Sequence, residues 1–447
     1  MTKTSQQSGP PTSPTVGPRV TRRNLLRTAA GLGLVTLAAC DPSPDDGKKP
    51  GADKAGPAVG RTHKNTEKLP PPIGRAEYED RIAHLQQAMR KRGIDAFFAE
   101  PGANLFYLTG VRWGRSERVH GVLILADGPP HYISPAFEVP RLEERIILPG
   151  PIHPWEEDES PFARIWQAVP KPQTPRPRRM ALAGDTRLFI RSGLAGADPD
   201  AAVTDGTAMI APLRMRKSAT ELALMQAAFA ITFAAMRATA ARIETGMTPG
   251  DIAALIDTET RRRGARPVFS LVQIGEASAY PHGSTMPQRL HEGDVVLFDC
   301  GASVHGYQSD ISRTFVHGEP DAQQRRVWED ARRAQEIAFA AAQLGTPCAQ
   351  VDQAARRFLE SRGYAPGYRT PGLPHRTGHG IGIEGHEPPY FVGSDTTPLD
   401  TGMCLSVEPG IYLPGRFGVR LEDCLYMTAD GPRWFTEPAR SITVPFG

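Results

Sequence analysis

Apolar positions along the chain follow two periods. Tyr78, Ile82, Leu85 and Met89 recur at helical spacing, and Gly93 closes that helix. Residues 94–99, 119–125 and 131–134 read as short strands. Residues 104–110 form an apolar run ending at a turn. Residues 180–183 read as a further strand, with a loop at 193–197. Strand and helix alternate, which predicts an α/β domain over 75–211. His84, His120, His131 and His153 are isolated there and read as ordinary surface or core histidines.

From residue 212 onward the pattern repeats. Ser218 and Glu221 form a capping box. A long helix follows to about Thr245, then Gly246, Thr248-Pro249, a second helix, and Arg263-Gly264. A hundred residues later a long helix over 322–344 is followed by Gly345, Thr346-Pro347, a second helix, and Arg362-Gly363. Thr-Pro reads as a helix cap with a first-turn proline, and Arg-Gly as a stop. His282-Gly283 in the first copy answers His379-Gly380 in the second. Gly293 answers Gly402, and an acid lies six residues past each: Asp299 and Glu408. A second acid follows each, Asp310 and Glu422. This ordered series predicts two halves about a pseudo-twofold axis, with the carboxylates at the centre.

Each acid pair sits on a predicted hairpin. The apolar run 295–298 leads into Asp299, and a bend near 304–306 returns the chain to Asp310. Gly301, Ser303 and Gly306 read as turn residues between them. In the second copy, Pro414-Gly415 is a turn dipeptide that sets Glu408 opposite Glu422. Buried carboxylates side by side are costly unless cations lie between them. Four ionised acids carry a charge that matches two divalent ions, and His379, flanked by glycines, is a fifth ligand. Such a set holds two ions about 3.5–4 Å apart with a shared water of lowered pKa. Mostly oxygen ligands point to Mn²⁺, with Co²⁺, Fe²⁺ or Zn²⁺ as alternatives.

The 447 residues allow two or three domains, and 40% hydrophobic content is ordinary for a globular protein. The formal charge of +3 comes from the first 39 residues, which hold five basic and no acidic side chains. The remainder has 47 basic against 49 acidic residues, so no basic field suggests nucleic acid.

The stretches VVLFDCG, YQSDISRTF, HRTGHGIGIEGHEPP, SVEPGIY and GVRLEDCLYMT resemble the pita-bread metallopeptidases of the Xaa-Pro dipeptidase (prolidase) and Xaa-Pro aminopeptidase branch. The resemblance runs from about Arg75 to the C-terminus and includes a creatinase-like N-terminal α/β domain, with the pita-bread domain at 212–447. It implies cleavage of the bond before proline in small peptides, by attack of a metal-bridging hydroxide. It implies that the ligands are Asp299, Asp310, His379, Glu408 and Glu422. Glu408 would also take the proton from the bridging water. His386 would bond the substrate carbonyl, and His282 would contact substrate near the scissile bond. His375 would line the proline-side pocket, and Arg420 would help hold His386 and the substrate end. A homodimer is typical of the branch. Two alternatives use the same fold: a creatinase-type amidinohydrolase without metal, and a catalytically silent peptide-binding lipoprotein.

The N-terminus reads as an export signal over 1–39. Arg22-Arg23 precedes a short apolar run, as in the twin-arginine route. The run ends in Leu37-Ala38-Ala39-Cys40, which resembles a bacterial lipoprotein cleavage box, with Cys40 as the lipidated residue. Asp41 resembles an inner-membrane retention signal. Residues 40–74 read as a flexible tether. The expectation is a membrane-anchored enzyme facing the periplasm or cell exterior. Cys300, Cys348, Cys404 and Cys424 show no CxxC spacing and read as buried thiols with no obligatory disulfide.

Overall fold

The computed structural model describes residues 69–173 and 175–446. The signal peptide, Cys40 and most of the tether lie outside the described residues. The N-terminal domain opens with α1 (Arg75–Arg92), which Gly93 ends in a left-handed cap. After β1 (Ala96–Ala99) comes α2 (Ala103–Thr109), then β2 (Gly121–Leu125), β3 (His131–Pro135) and the short α3 (Val139–Glu143). Next are β4 (Ile152–Trp155), α4 (Pro161–Ala168), β5 (Arg179–Leu182), α5 (Leu188–Ala197), β6 (Ala202–Asp205) and α6 (Thr207–Met215). The strands form one mixed sheet in the order β4-β3-β2-β1-β5-β6. Both faces are covered, so the strands read as apolar runs rather than alternating ones. Phe97, Val122 and Ile124 face α1 and α2. Phe98, Leu123 and Ile133 face α4 and α5, against Trp166, Ile190 and Leu194.

Two sequence expectations shift here. Residues 193–197 are the last part of α5 rather than a loop. Gly193 is there for space: a Cβ would lie 2.3 Å from the Phe162 ring. His131 and His153 are not isolated, because their ring nitrogens lie 2.9 Å apart across β3 and β4.

The expected domain boundary at 211/212 falls within α6. Beyond it, the first half holds α7 (Ala219–Ala240), α8 (Pro249–Arg262), β7 (Arg266–Ile274), β8 (Val295–Val304), β9 (Tyr307–Gln308) and β10 (Ile311–Val316). The capping box predicted at the start of α7 is formed, and Thr248 caps α8 as expected, in a capping box with Asp251 that was not singled out from the sequence. The second half holds α9 (Ala322–Ala341), α10 (Cys348–Ser361), β11 (Gly378–Gly380), β12 (Glu387–Phe391) and β13 (Cys404–Val407). It ends with β14 (Gly410–Leu413), β15 (Phe417–Arg420), β16 (Asp423–Thr428) and β17 (Gly431–Trp434). Here Pro347 itself is the cap of α10, one residue later than the first copy suggests.

Each half is a helix pair laid on a sheet. The first sheet runs β10-β8-β7, with β9 also paired to β8; the second runs β12-β11-β13-β16-β17. The halves join where chemistry is expected. Ser312 and Glu422 exchange backbone hydrogen bonds of 3.3 and 3.1 Å, and Thr314 Oγ1 donates to the Arg420 carbonyl at 2.8 Å.

Candidate metal centre

The first hairpin turns at His305-Gly306, between the paired residues Val304 and Tyr307. Both turn residues have positive φ, 46° and 102°, which suits the right-handed twist of the strands. Gly306 is pressed against Phe106 and Arg112 of the N-terminal domain, so a side chain there would displace both. The bend is where the sequence puts it, but Gly301 and Ser303 belong to β8 rather than to the turn. Gly301 is needed for close approach: a Cβ would lie 2.4 Å from the Phe269 ring and 2.7 Å from the Ser309 carbonyl oxygen. Asp299 stands opposite Ser312, so Asp310 lies diagonally across the ladder from it. The second hairpin pairs Gly410 with Arg420 around a turn at Gly415, which brings Glu408 and Glu422 alongside each other just beyond the paired residues.

The structure gathers all five predicted ligands. Asp299, Asp310 and Glu422 form one cluster, and His379, Glu408 and Glu422 another; Asp310 and His379 also approach His386. His379 is 1% exposed. Its Nδ1 lies 3.1 Å from the Gly380 carbonyl oxygen, an acceptor, so the proton sits on Nδ1 and the Nε2 lone pair is free. That Nε2 lies 3.3 Å from Glu408, 3.7 Å from Glu422 and 3.8 Å from Asp310. A lone pair facing three carboxylates is repulsive unless a cation lies among them. Asp299 Oδ1, Asp310 Oδ1 and Glu422 Oε1 are buried with no donor among the described residues. Orphaned anionic oxygens of this kind are expensive. The donor set therefore fits divalent cations held by oxygen and one imidazole.

The remaining oxygens are positioned by the protein. Ser312 Oγ donates to Glu422 Oε2 at 2.7 Å, and Ser406 Oγ to Glu408 Oε1 at 3.2 Å. Arg420 Nη2 holds Asp299 Oδ2 at 2.5 Å. Without cations, Asp310, Glu408 and Glu422 resist ionisation. Burial and the neighbouring carboxylates push Asp310 and Glu422 well above the usual range. Burial, with Arg420 opposing and Asp299 adding, takes Glu408 up to about 7. His379 is held well below the ordinary imidazole value by burial and by His386.

The cluster forms the floor of a cavity of about 540 Å³. Its walls include Val268, Phe269, Pro281, His282, His375, Arg376 and His386. The His386 ring stacks at a tilt on His379, with centroids 3.8 Å apart. His375 Nε2 is 3.0 Å from the Tyr412 hydroxyl, which accepts from Arg420 Nη1 at 2.9 Å. Arg420 also donates to the Pro281 carbonyl at 2.9 Å, fixing the loop that carries His282. Its hydrogen bonds go to Asp299, Ser312, Tyr412 and Pro281, and none reaches His386. The expected hold of Arg420 on His386 is therefore not present as a hydrogen bond, because the guanidinium is drawn under Asp299 instead.

Comparison with known proteins identifies the scaffold. Residues 223–429 match metallopeptidase family M24, and residues 81–216 match the creatinase/prolidase N-terminal domain. A Xaa-Pro dipeptidase of Lactobacillus helveticus is 32% identical over 364 residues, covering 80% of this chain and 97% of that protein. The chain belongs to metallopeptidase family M24. Among solved structures, dipeptidase PepE from Mycobacterium ulcerans superposes with a TM-score of 0.77 at 30% identity, covering 84% of this chain and all of that one. An X-Pro aminopeptidase from Thermotoga maritima superposes with a TM-score of 0.70 at 27% identity, covering 81% of this chain and 99% of that one. The fold is thus the pita-bread fold behind a creatinase-like domain, and the family implies divalent metal ions.

One wall residue was not singled out from the sequence. Arg376 lies between His375 and Thr377, over the Tyr390 ring with its guanidinium 4.3 Å from the centroid. It makes no side-chain hydrogen bond or ion pair among the described residues, whereas Arg420 beside it is fully engaged. The signal was its place in the motif His375-Arg376-Thr377, but a sequence does not say which arginine already has a partner.

Proposed function

We propose that the chain is a metal-dependent hydrolase that cleaves the peptide bond preceding proline, using Asp299, Asp310, His379, Glu408 and Glu422 to hold two divalent ions, most readily Mn²⁺. The observation that carries this is the set of orphaned oxygens on Asp299, Asp310 and Glu422, with His379 Nε2 facing Glu408, Glu422 and Asp310, at the floor of a peptide-sized cavity. Bound ions would supply Lewis acidity, lowering the pKa of a water and polarising the scissile carbonyl. Glu408 accepts the proton of the attacking water on a carboxylate oxygen and passes it to the leaving proline nitrogen. That nitrogen carries no hydrogen in the substrate, so it must gain a proton to leave as an amine. His386 donates to the carbonyl oxygen as negative charge develops there. His282 and His375 border the substrate, and Val268, Phe269 and Pro281 offer the apolar wall against which a pyrrolidine ring excludes water.

Arg376 favours dipeptides over longer chains. As the unpaired cation of the wall, it suits the free carboxylate of Xaa-Pro. The test is to strip the metal from the purified chain, restore Mn²⁺, Co²⁺ or Zn²⁺ separately, and offer Ala-Pro and Ala-Pro-Ala. Metal-dependent cleavage of Ala-Pro is expected; cleavage of neither peptide with any metal refutes the proposal.

Lipidation at Cys40, twin-arginine export, attachment to the membrane and a homodimer complete the proposal. The arginine pair and the Leu37–Cys40 box support the first three. Radiolabelled palmitate should follow the protein and be lost in Cys40→Ala.

A further inference from the structure

Two residues of the segment joining the domains converge on one buried carboxylate beside the site. Lys217 Nζ lies 2.7 Å from Glu387 Oε1, and Arg214 Nη2 lies 2.5 Å from Glu387 Oε2. The Lys217 and Glu387 side chains are 2% and 3% exposed. Glu387 immediately follows His386 and begins β12. Burial works against its charge, and the two cations overcome it.

The loop that joins His379 to His386 rests directly on this ion pair. A Cβ at Gly382 would lie 2.7 Å from Glu387 Oε1 and 2.8 Å from the Lys217 Cε. The loop is also tied by Ile381 N–H, which donates to the Cys404 carbonyl at 3.1 Å, by Glu384, which accepts from Arg214 Nη2 at 2.7 Å, and by Gln308, whose backbone N–H donates to the Gly382 carbonyl at 2.8 Å and whose side chain donates to the Ile383 carbonyl at 2.6 Å. The His386 ring makes no hydrogen bond among the described residues. Its direction therefore follows from where the backbone places it and from its stacking on His379. The clamp is itself anchored. Lys217 N–H donates to the Gly402 carbonyl at 2.8 Å, just before β13. Arg214 Nη1 donates to Asn104 Oδ1 at 3.0 Å, and Asn104 donates to Asp185 at 2.8 Å, both in the N-terminal domain.

A buried ion pair is a poor device for stability alone, since apolar side chains of equal volume do as well or better. It does fix geometry. We propose that Lys217 and Arg214 are positioning residues for His386: by clamping Glu387 they fix the backbone that aims the imidazole over the carboxylate cluster. This rests on the reading of His386 as the donor to the developing oxyanion. If His386 acts mainly in the transition state, loosening the clamp lowers kcat and leaves KM nearly unchanged.

The experiment is a double-mutant cycle on the metal-loaded full chain with Ala-Pro as substrate. Lys217→Met should lower kcat about ten-fold with KM within about two-fold, and should have little further effect in a His386→Ala background. Lys217→Arg should restore most of the rate. Should Lys217→Met fail to fold with Glu387 held by Arg214 alone, Lys217→Met/Glu387→Gln removes both charges of the Lys217–Glu387 pair and is read in the same cycle. A wild-type kcat in Lys217→Met, or an equal loss with and without His386, overturns the inference while leaving the hydrolase reading intact. A wild-type kcat in His386→Ala overturns the role of His386 on which the inference rests.

Discussion

Removing the metal should leave a protein whose stability is penalised as pH rises, and restoring the metal should lift that penalty. Glu408 shows the size of the effect. Its carboxyl moves from an ordinary 4.5 to about 7, chiefly through burial, with Arg420 opposing and Asp299 adding. A carboxyl raised in the folded state contributes stability that is complete below its unfolded value and is lost as pH climbs to the folded one. Across that interval Glu408 alone accounts for about 3 kcal/mol. Asp310 and Glu422 are shifted in the same direction by burial and by their neighbours. Buried histidines oppose this in the raw melting curve. His375 is lowered to about 3 by burial and Arg420, and His120 to about 4 by burial and Arg141. Each gains stability as pH rises towards its unfolded value of 6.5. Above about pH 5 both stay neutral with or without metal, so the difference between loaded and stripped protein cancels them. Differential scanning calorimetry of both forms isolates the carboxylates. The metal-induced rise in Tm should grow between about pH 5 and pH 7.5, by about 4 °C for Glu408 alone in a folded body of this size. A metal-induced shift of equal size at both ends would refute the crowded-carboxylate account.

Three further outcomes follow from particular contacts. Arg376→Met should raise KM for Ala-Pro about ten-fold or more, the worth of a charged hydrogen bond, and change cleavage of Ala-Pro-amide little; equal loss on both substrates would remove the carboxylate role. Arg313→Met should destabilise the fold by about 3–5 kcal/mol in urea titration, because it leaves Asp423 buried and unpaired; Arg313 and Asp423 are 2.6 Å apart and essentially unexposed, and an unchanged midpoint would contradict this. Cys300, Cys348, Cys404 and Cys424 are free and buried. None should react with a thiol reagent in the native protein, and all four should react in denaturant; rapid native labelling at any of them would contradict that burial.

The ligand set was legible because it is written twice. Asp299 and Glu408 stand at one offset from a glycine in both copies, each at the end of an apolar run, and the two hairpins formed where their turn residues lie. What escaped was what the chain brings together from afar. Lys217 and Glu387 are 170 residues apart, and neither stands out until the ion pair is seen. Arg376 was in plain view, but only the structure shows that Arg420 is committed to Asp299 while Arg376 makes no ion pair among the described residues. Glycine misled in two places for one reason: Gly193 and Gly301 serve close packing against aromatic rings, not turns. Local sequence cannot separate these uses, since both need only a missing side chain.

The central claim is that five side chains hold two ions that the reaction requires. The most direct measurement titrates the stripped chain with Mn²⁺ while bound metal and Ala-Pro hydrolysis are followed together. Activity should rise with occupancy and saturate at two ions per chain, and Asp299→Asn should lose both a bound ion and turnover. Full activity in the stripped protein, or an Asp299→Asn variant that binds two ions and turns over normally, would contradict the claim.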